Sequence, residues 1–507
     1  MRTSGVAPGT HVSAMDTGGD RVHHEAMSQS EPGSVRRPSR RTVLIGATAT
    51  TASIAGGLLG SGGAAADDHS PAPGPGVAVR PQRPDRELRR LLGELDRGRV
   101  EETVLRLTQF GTRHTLSSQD DPVRGIGAAR DWIRDQLQAS AAASGGRMTV
   151  EVQSFVQPAG GRIPVPTTIS NVVATLHGST SPDRVYVVSG HYDSRVTDVL
   201  DFTSDAPGAD DDASGVAAVL ELARVFATRP TEATIMFVAY AGEEQGLFGS
   251  QFMARQLRAG KADVQAMFSN DIVGASSAFD GTPPDPRTVR LFVEGVPTAE
   301  TAQQTANRQL VGGENDGPSR QLARFVQDVA QNEETGLRVR VIWRRDRFLR
   351  ASDHVSFLQQ AYPAGRFTEP RENFNHEHQN TRVENGVQFG DLPQFCDFGY
   401  ITRVAKVNAA TLWSLAQAPG TPKDVTIVAA VLTNTSTLTW TRGAEPDLAG
   451  YEVVWRETTA AQWTNVIPVG DVTTATIDLA KDNVHFGVRA VDRDGHRSPV
   501  AYPQPSG

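Results

Sequence analysis

One cysteine, Cys396, is the whole thiol inventory of these 507 residues, so no internal disulfide is open to the chain. Whatever holds it together in an oxidising compartment is packing or metal. Cations are not in surplus either. Fifty Lys and Arg stand against 58 Asp and Glu, and the net charge of −8 argues against a nucleic-acid partner. Long apolar runs are scarce as well: the stretch from Val43 to Leu59 is short, weakly apolar and without stop-transfer charges, which disfavours a membrane anchor. What remains, 38% hydrophobic and 21% charged, is an ordinary globular composition with core enough for two to four domains.

Ser39-Arg40-Arg41-Thr42-Val43-Leu44 opens that stretch and Ala64-Ala65-Ala66 closes it. This is the layout of a twin-arginine export signal with a small-residue cleavage site, and no cysteine stands there for a lipid anchor. A short membrane anchor is the alternative. The expectation is a secreted protein: residues 1–66 form a disordered leading region and signal, and no membrane contact survives cleavage. Residues 67–85 read as a Pro-rich, extended linker.

Chemistry concentrates between Val185 and Gly249. VYVVSGHYDS, GADDDASGVAAVLELARV and ATIMFVAYAGEEQGLFGS each set ligand-type groups beside an apolar run. His191, Asp193, Asp210 to Asp212, Glu243 and Glu244 therefore belong where buried strands run out into loops, the edge at which an open α/β sheet keeps its chemistry. Three adjacent aspartates repel one another unless a helix N-terminus or a cation offsets them. Alone, the run would read as an N-cap cluster for a helix from Ala213 to Phe226. Acids or imidazole at three strand ends within some sixty residues favour a divalent metal.

Around this stretch the periodicity predicts helical spacing over Arg86 to Phe110 and Gly125 to Gln138, then strands Met148–Val156, Asn171–Leu176 and Arg184–Ser189. After it come a helix Ser250–Arg258, a strand Val264–Asn270 running into Asp271, a strand Val289–Val293, a helix Gln321–Ala330, a strand Leu337–Trp343 and helices over Asp397 to Ala416. The fold class is α/β, a mixed sheet sandwiched between helices over 86–416. Residues 417–423 are a linker. Short strands over 424–507, with Trp440 and Tyr451 as core aromatics, predict a C-terminal all-β, immunoglobulin-like sandwich. PDLAGYEVVWR and FGVRAVDRDGHRSP resemble fibronectin type III domains.

Together, SGHYDS, GADDDASG, AGEEQGLFGS, NDIVG and the late NHEH resemble the co-catalytic dizinc peptidases, the family of secreted leucyl aminopeptidases, glutamate carboxypeptidase and glutaminyl cyclases. By motif position the resemblance implies two zinc ions held by His191, Asp211, Glu244, Asp271 and His376, with Asp211 bridging and His378 the alternative to His376. It implies Glu243 as general base toward a metal-bridged hydroxide, and Asp193 as the acceptor that fixes the His191 tautomer. Asn375 stands where some relatives have an oxyanion-polarising Tyr. Asp353, His354, Arg347 and Arg350 are open between substrate orientation and structure.

The function so implied is a secreted zinc aminopeptidase acting on peptides or proteins, with Glu369 or Asp210 as candidate anchors for the substrate ammonium. A carboxypeptidase with a basic pocket is the nearest alternative, and a one-zinc glutaminyl cyclase is a further one. From another class comes an inactive peptidase-like module whose C-terminal domain contacts cell wall or polymer.

Overall fold

Val185 to Val188 are four apolar residues in a row, and they settle by alternation: Tyr186 and Val188 enter one apolar core, Val185 and Val187 another. Ile235, Phe237 and Ala239 divide from Val238 and Tyr240 in the same way. A strand with a period of two can be apolar throughout only if both faces of its sheet are covered. In the computed structural model, which describes residues 74–278 and 281–506, both are. Helices Ile126–Ala142, Gly215–Ala227, Pro318–Ala330 and Phe398–Gln417 pack on one face, and helices Phe248–Ala259 and His354–Leu358 on the other. Each fully buried aliphatic side chain contributes ~1.5–3 kcal/mol to this layering. The export signal expected over 1–66 lies outside the described residues.

The sheet has eight strands in the spatial order Met148–Gln157, Thr167–Leu176, Ala233–Tyr240, Ser181–His191, Asp263–Asn270, Ala364–Thr368, Thr288–Val293 and Arg338–Ile342. It is mixed. The middle four, from Ala233–Tyr240 to Ala364–Thr368, are mutually parallel, so their C-terminal ends share one edge. The strand Ala364–Thr368 escapes a reading by hydrophobicity, because its five buried residues include Gly365 and Arg366. The helical spacing over Arg86 to Phe110 resolves into two helices, Arg86–Gly93 and Arg97–Thr108, the second starting at Asp96, whose carboxylate accepts the Gly98 N–H at 2.6 Å.

Beyond Gln417 come two four-stranded sheets. Asn465–Gly470, Leu448–Glu457 and Val484–Asp492 belong to one, and Thr474–Ile477, Ser436–Thr441, Lys423–Val428 and Gln504–Ser506 form the other. They share a core in which Leu438, Trp440 and Ile477 meet Tyr451, Val453, Trp455 and Phe486. The fourth strand of the first sheet is Val77–Ala78, paired antiparallel to Asn465–Gly470. From residue 74 onward the expected linker is therefore part of the fold. Trp455 Nε1 donates to the Pro75 carbonyl at 2.8 Å, and Asp85 caps the helix Arg86–Gly93 while accepting Trp413 Nε1, also at 2.8 Å. The proline content gave the extended conformation; exposed edge N–H and C=O groups supplied the partner.

The β-region is also fastened to a strand, a loop and a helix of the α/β region. Arg456 Nη2 meets Asp316 Oδ2 at 2.7 Å, Arg184 Nη1 meets Glu445 Oε1 at 2.9 Å, and Trp463 Nε1 donates to Gln321 Oε1 at 3.0 Å. Among the described residues no helix is long and apolar enough to cross a membrane.

Candidate metal centre

The parallel strand ends deliver the site. His191 ends Ser181–His191, Glu243 and Glu244 follow Ala233–Tyr240, and Asp271 follows Asp263–Asn270. Asp211 arrives from the helical turn Ala209–Ser214, which leads into Gly215–Ala227.

The three aspartates of that turn are sorted by their partners. Asp210 accepts the Gly274 N–H at 2.6 Å. Asp212 accepts the His191 N–H and the Gly215 N–H, both at 2.9 Å. Only Asp211 turns to imidazole, placing Oδ1 3.0 Å from His191 Nε2 and Oδ2 2.8 Å from His378 Nε2. The capping role expected of a lone aspartate run falls to Asp212, and the ligand-type role to its neighbour.

Around Asp211 stand two half-shells. His191, Asp211 and Asp271 bring ligand-type atoms within 4.8 Å of one another. On the other side, Glu244 Oε1 lies 3.0 Å from His378 Nε2, buried and without an aligned hydrogen bond. Burial would lower the pKa of both imidazoles. The neighbouring carboxylates more than offset it, Glu243 foremost at His191 and Glu244 and Asp211 at His378, so both are raised well above the ordinary value. Buried carboxylates around two imidazoles, with an orphaned oxygen among them, are a donor set that fits a divalent cation such as zinc.

His376 is not in this cage. Its ring stacks on Phe395, centroids 3.6 Å apart and 11° from parallel. His378 takes its place beside Arg195, whose Nη2 lies 2.5 Å from His378 Nδ1 and whose Nε pairs with Glu244 Oε2 at 2.8 Å. His378 has a left-handed φ of 54°, which a spacing argument cannot foresee. Glu377, unassigned from sequence, also lies within reach of Asp211 and His378, but its Oε1 is engaged by Arg350 at 3.0 Å and Arg347 at 3.4 Å.

Asp193 acts differently from expectation. The closest partner of His191 Nδ1 is the Asp193 main-chain carbonyl, at 3.1 Å; the carboxylate is 3.6 Å away. Its carboxylate accepts the N–H groups of Glu243 and Glu244, each at 3.2 Å, and the Thr115 hydroxyl at 2.8 Å. Asp193 thus fixes the turn that aims both glutamates. Glu243 lines the cleft beside the cage, its carboxyl pushed well above the ordinary range by burial and by Asp271 and Glu244.

Two arginines that sequence reasoning passed over hold the cage. Arg366 is fully buried, donating through Nη2 to Asp271 Oδ1 at 3.0 Å, through Nε to the Asp271 carbonyl and through Nη1 to Asp346 at 3.0 Å. Burial would raise the Asp271 pKa, yet this guanidinium holds it well below the carboxylate range. Arg113 ties the Tyr192 carbonyl, just past His191, to those of Pro207 and Gly208, just before the aspartates, at 2.5–2.8 Å. The available signal was a lone arginine in an apolar run, PAGRF for Arg366. His354 is a core histidine, Nε2 2.7 Å from the Arg345 carbonyl, and Asp353 is fully buried, a burial that pushes its pKa up to about 7.

A cleft of about 600 Å³ opens over Asp211, Glu243, Glu244, Asp271 and His378. Arg347 and Arg350 line it; Asn375, Asp210 and Glu369 do not. The last two meet each other, Glu369 fully buried and Asp210 half-buried, and Glu369 accepts the Ala275 N–H at 2.9 Å.

A model described as peptidase family M28 matches residues 171–385, a span containing every cage residue. A probable zinc metalloprotease of Pyrenophora tritici-repentis (strain Pt-1C-BFP) is 53% identical over 432 residues, 85% of this chain and 89% of the relative. Another, from Leptosphaeria maculans, is 52% identical over 427 residues, 84% of this chain and 99% of its own. Among solved structures, an aminopeptidase from Aneurinibacillus sp. strain AM-1 matches at a TM-score of 0.45 and 16% identity, over 65% of this chain and 96% of that one. Half its residues shared across nearly the full length of such relatives, this chain belongs to peptidase family M28, among its zinc metalloproteases.

Proposed function

We propose that the protein is a secreted exopeptidase that works with two zinc ions. The observation that carries this reading is the division of one carboxylate: Asp211 gives Oδ1 to the side of His191 and Oδ2 to the side of His378. His191, Asp211 and Asp271 would hold one ion, and Asp211, Glu244 and His378 the other. Bound zinc supplies the Lewis acidity that makes water a nucleophile near neutral pH.

The chain's own residues do the rest. Asp193 holds the turn, Glu243 takes a proton from the attacking water and returns it to the leaving amine, and the cleft walls confine the substrate. Replacing Glu243 by Gln is expected to lower turnover of peptides by about 10²–10⁴-fold with zinc content unchanged. Retained turnover removes Glu243 from the mechanism.

Aminopeptidase action is the expectation from sequence, but it needs an acid in the cleft for the substrate ammonium, and Asp210 and Glu369 lie outside the lining. One observation favours carboxypeptidase action: Arg162, Arg195, Arg347 and Arg350 all line the cleft. Comparing N-acetylated with C-amidated peptides separates the two. Cleavage of only the acetylated set would sink the aminopeptidase reading, and cleavage of only the amidated set would sink the other. The C-terminal region fits an immunoglobulin-like sandwich of fibronectin type III kind. Its contact with cell wall or polymer is tested by a pull-down of the full chain, which would fail if the region serves only the fold.

A further inference from the structure

The segment from Arg347 to Arg350 does two things at once. Its ends, Arg347 and Arg350, line the cleft over the cage. Its middle, Phe348 and Leu349, is thrust into solvent, 74% and 93% exposed, and Leu349 carries a left-handed φ of 58°. Large apolar side chains so exposed lose the burial that would stabilise them, and a β-carbon at that φ adds strain. Such a combination at the lip of a cleft points to a contact made with something that enters it.

Charge says what enters. Arg162, Arg195, Arg347 and Arg350 line the cleft against four acids, Asp211, Glu243, Glu244 and Asp271. Carboxylates and guanidinia of the lining match in number, so two divalent ions held by neutral imidazoles would leave an excess of positive charge over the cleft. Arg195 and Arg347 are engaged, by Glu244 and by Glu372 and Glu377. Arg162 is exposed, one N–H given to the Glu244 carbonyl at 2.8 Å, and Arg350, with one link to Glu377, keeps 45% of its side chain in solvent. Two guanidinia with donors to spare on one cleft, Arg350 next to an apolar tip, suit a peptide that offers a carboxylate and an apolar side chain.

We infer that Arg350 and Arg162 grip a substrate carboxylate while Phe348 and Leu349 cover an adjacent apolar side chain, so that this lip sets which peptides the enzyme takes. The inference rests on the peptidase reading, and its test is a binding measurement that does not depend on turnover.

Zinc-loaded protein carrying Glu243→Gln would be titrated into fluorescein-labelled tetrapeptides ending in leucine, read by anisotropy. One peptide has a free C-terminus and no acidic side chain, one is C-amidated with a glutamate, and one is C-amidated and neutral. Either carboxylate peptide should bind at least tenfold tighter than the neutral one, and the better of the two identifies the source of the carboxylate. Arg350→Gln should erase that preference, and Phe348→Ser with Leu349→Ser should weaken binding of all leucine peptides about tenfold but spare their alanine counterparts. Zinc content, measured alongside, should not move. Equal affinity for neutral and carboxylate peptides, or variants that bind as the parent does, would overturn the inference. So would vesicles of anionic phospholipid that bind the parent and not the serine variant while peptide affinity stays constant, since the lip would then be a membrane contact. Failure of the protein with Glu243 intact to hydrolyse any of these peptides would count against the peptidase reading alone.

Discussion

The cage and the joint between the β-region and the large sheet bury charge in opposite ways. At the joint two acids have their cations: Asp316 sits between Arg456 at 2.7 Å and Arg324 at 3.3 Å, and Glu445 meets Arg184 at 2.9 Å. In the cage, Asp211, Glu244 and Asp271 crowd two imidazoles, and the guanidinia of Arg195 and Arg366 cover one oxygen each of Glu244 and Asp271. A satisfied buried pair fixes geometry and adds little net stability, whereas an under-compensated cluster is a binding site. The charge deficit is what distinguishes function from architecture here.

Metal removal should break the comparison most widely. Zinc at a thousandfold excess over its dissociation constant adds ~4 kcal/mol to stability by mass action. Chelation is expected to lower the melting temperature and abolish activity, and Asp211→Asn, which breaks both half-shells, should make the protein indifferent to added zinc in calorimetry. A melting temperature unmoved by chelator would mean the cage is satisfied by its own residues.

Next come the two arginines. Arg366→Met strips Asp271 of its guanidinium, leaves Asp346 with Arg347 at 3.5 Å, and is expected to cost ~3–5 kcal/mol in urea unfolding and to reduce zinc content. Arg456→Met leaves Asp316 with Arg324 and Gln321, so its cost should be smaller, ~2–3 kcal/mol, with zinc content intact. Equal zinc loss in both would erase the distinction between the regions.

The smallest effect is a pH dependence at the strap, residues 74–85, where Asp85 meets His496 of the β-region. Burial would lower the His496 pKa, but Asp492 at 2.7 Å and Asp85 at 3.3 Å lift it to about 10. Burial would raise Asp85, but His496, the Leu88 N–H and Trp413 bring it down to about 2. A raised imidazole stabilises fully below its unfolded value of 6.5 and loses that contribution as pH climbs to about 10. A lowered carboxyl contributes above 3.8 and loses it as pH falls to about 2. The strap should therefore hold best between pH 4 and 6.5, and His496→Gln should cost ~1–2 kcal/mol there, with allowance for the exposure of Asp85, and progressively less as pH rises through about 10. Proteolysis near residue 80 across that range reads it; a flat profile would refute the clamp.

Much of the cage was legible because an apolar run followed by an acid or imidazole marks a strand end whatever the fold. His191, Glu243, Glu244 and Asp271 come from that pattern, and Asp211 from the motif around it. Arg113 and Arg366 were not legible, since their partners are largely main-chain carbonyls and carboxylates that only the folded chain brings near. Asp193 was legible as a partner of the cage, but its carboxylate serves the glutamate turn more than the imidazole.

Sequence by itself determined that the chain builds a covered sheet with acids at its edge, because side-chain period and burial are local properties of a strand. Which of His376 and His378 faces Asp211 was decided by a left-handed turn and the reach of Arg195 from another strand end. That a proline-rich stretch becomes an edge strand was decided by the open side of a sheet nearly 390 residues away in the chain. Both are questions of which groups meet across space, and the energy that answers them exists only once the chain has closed on itself.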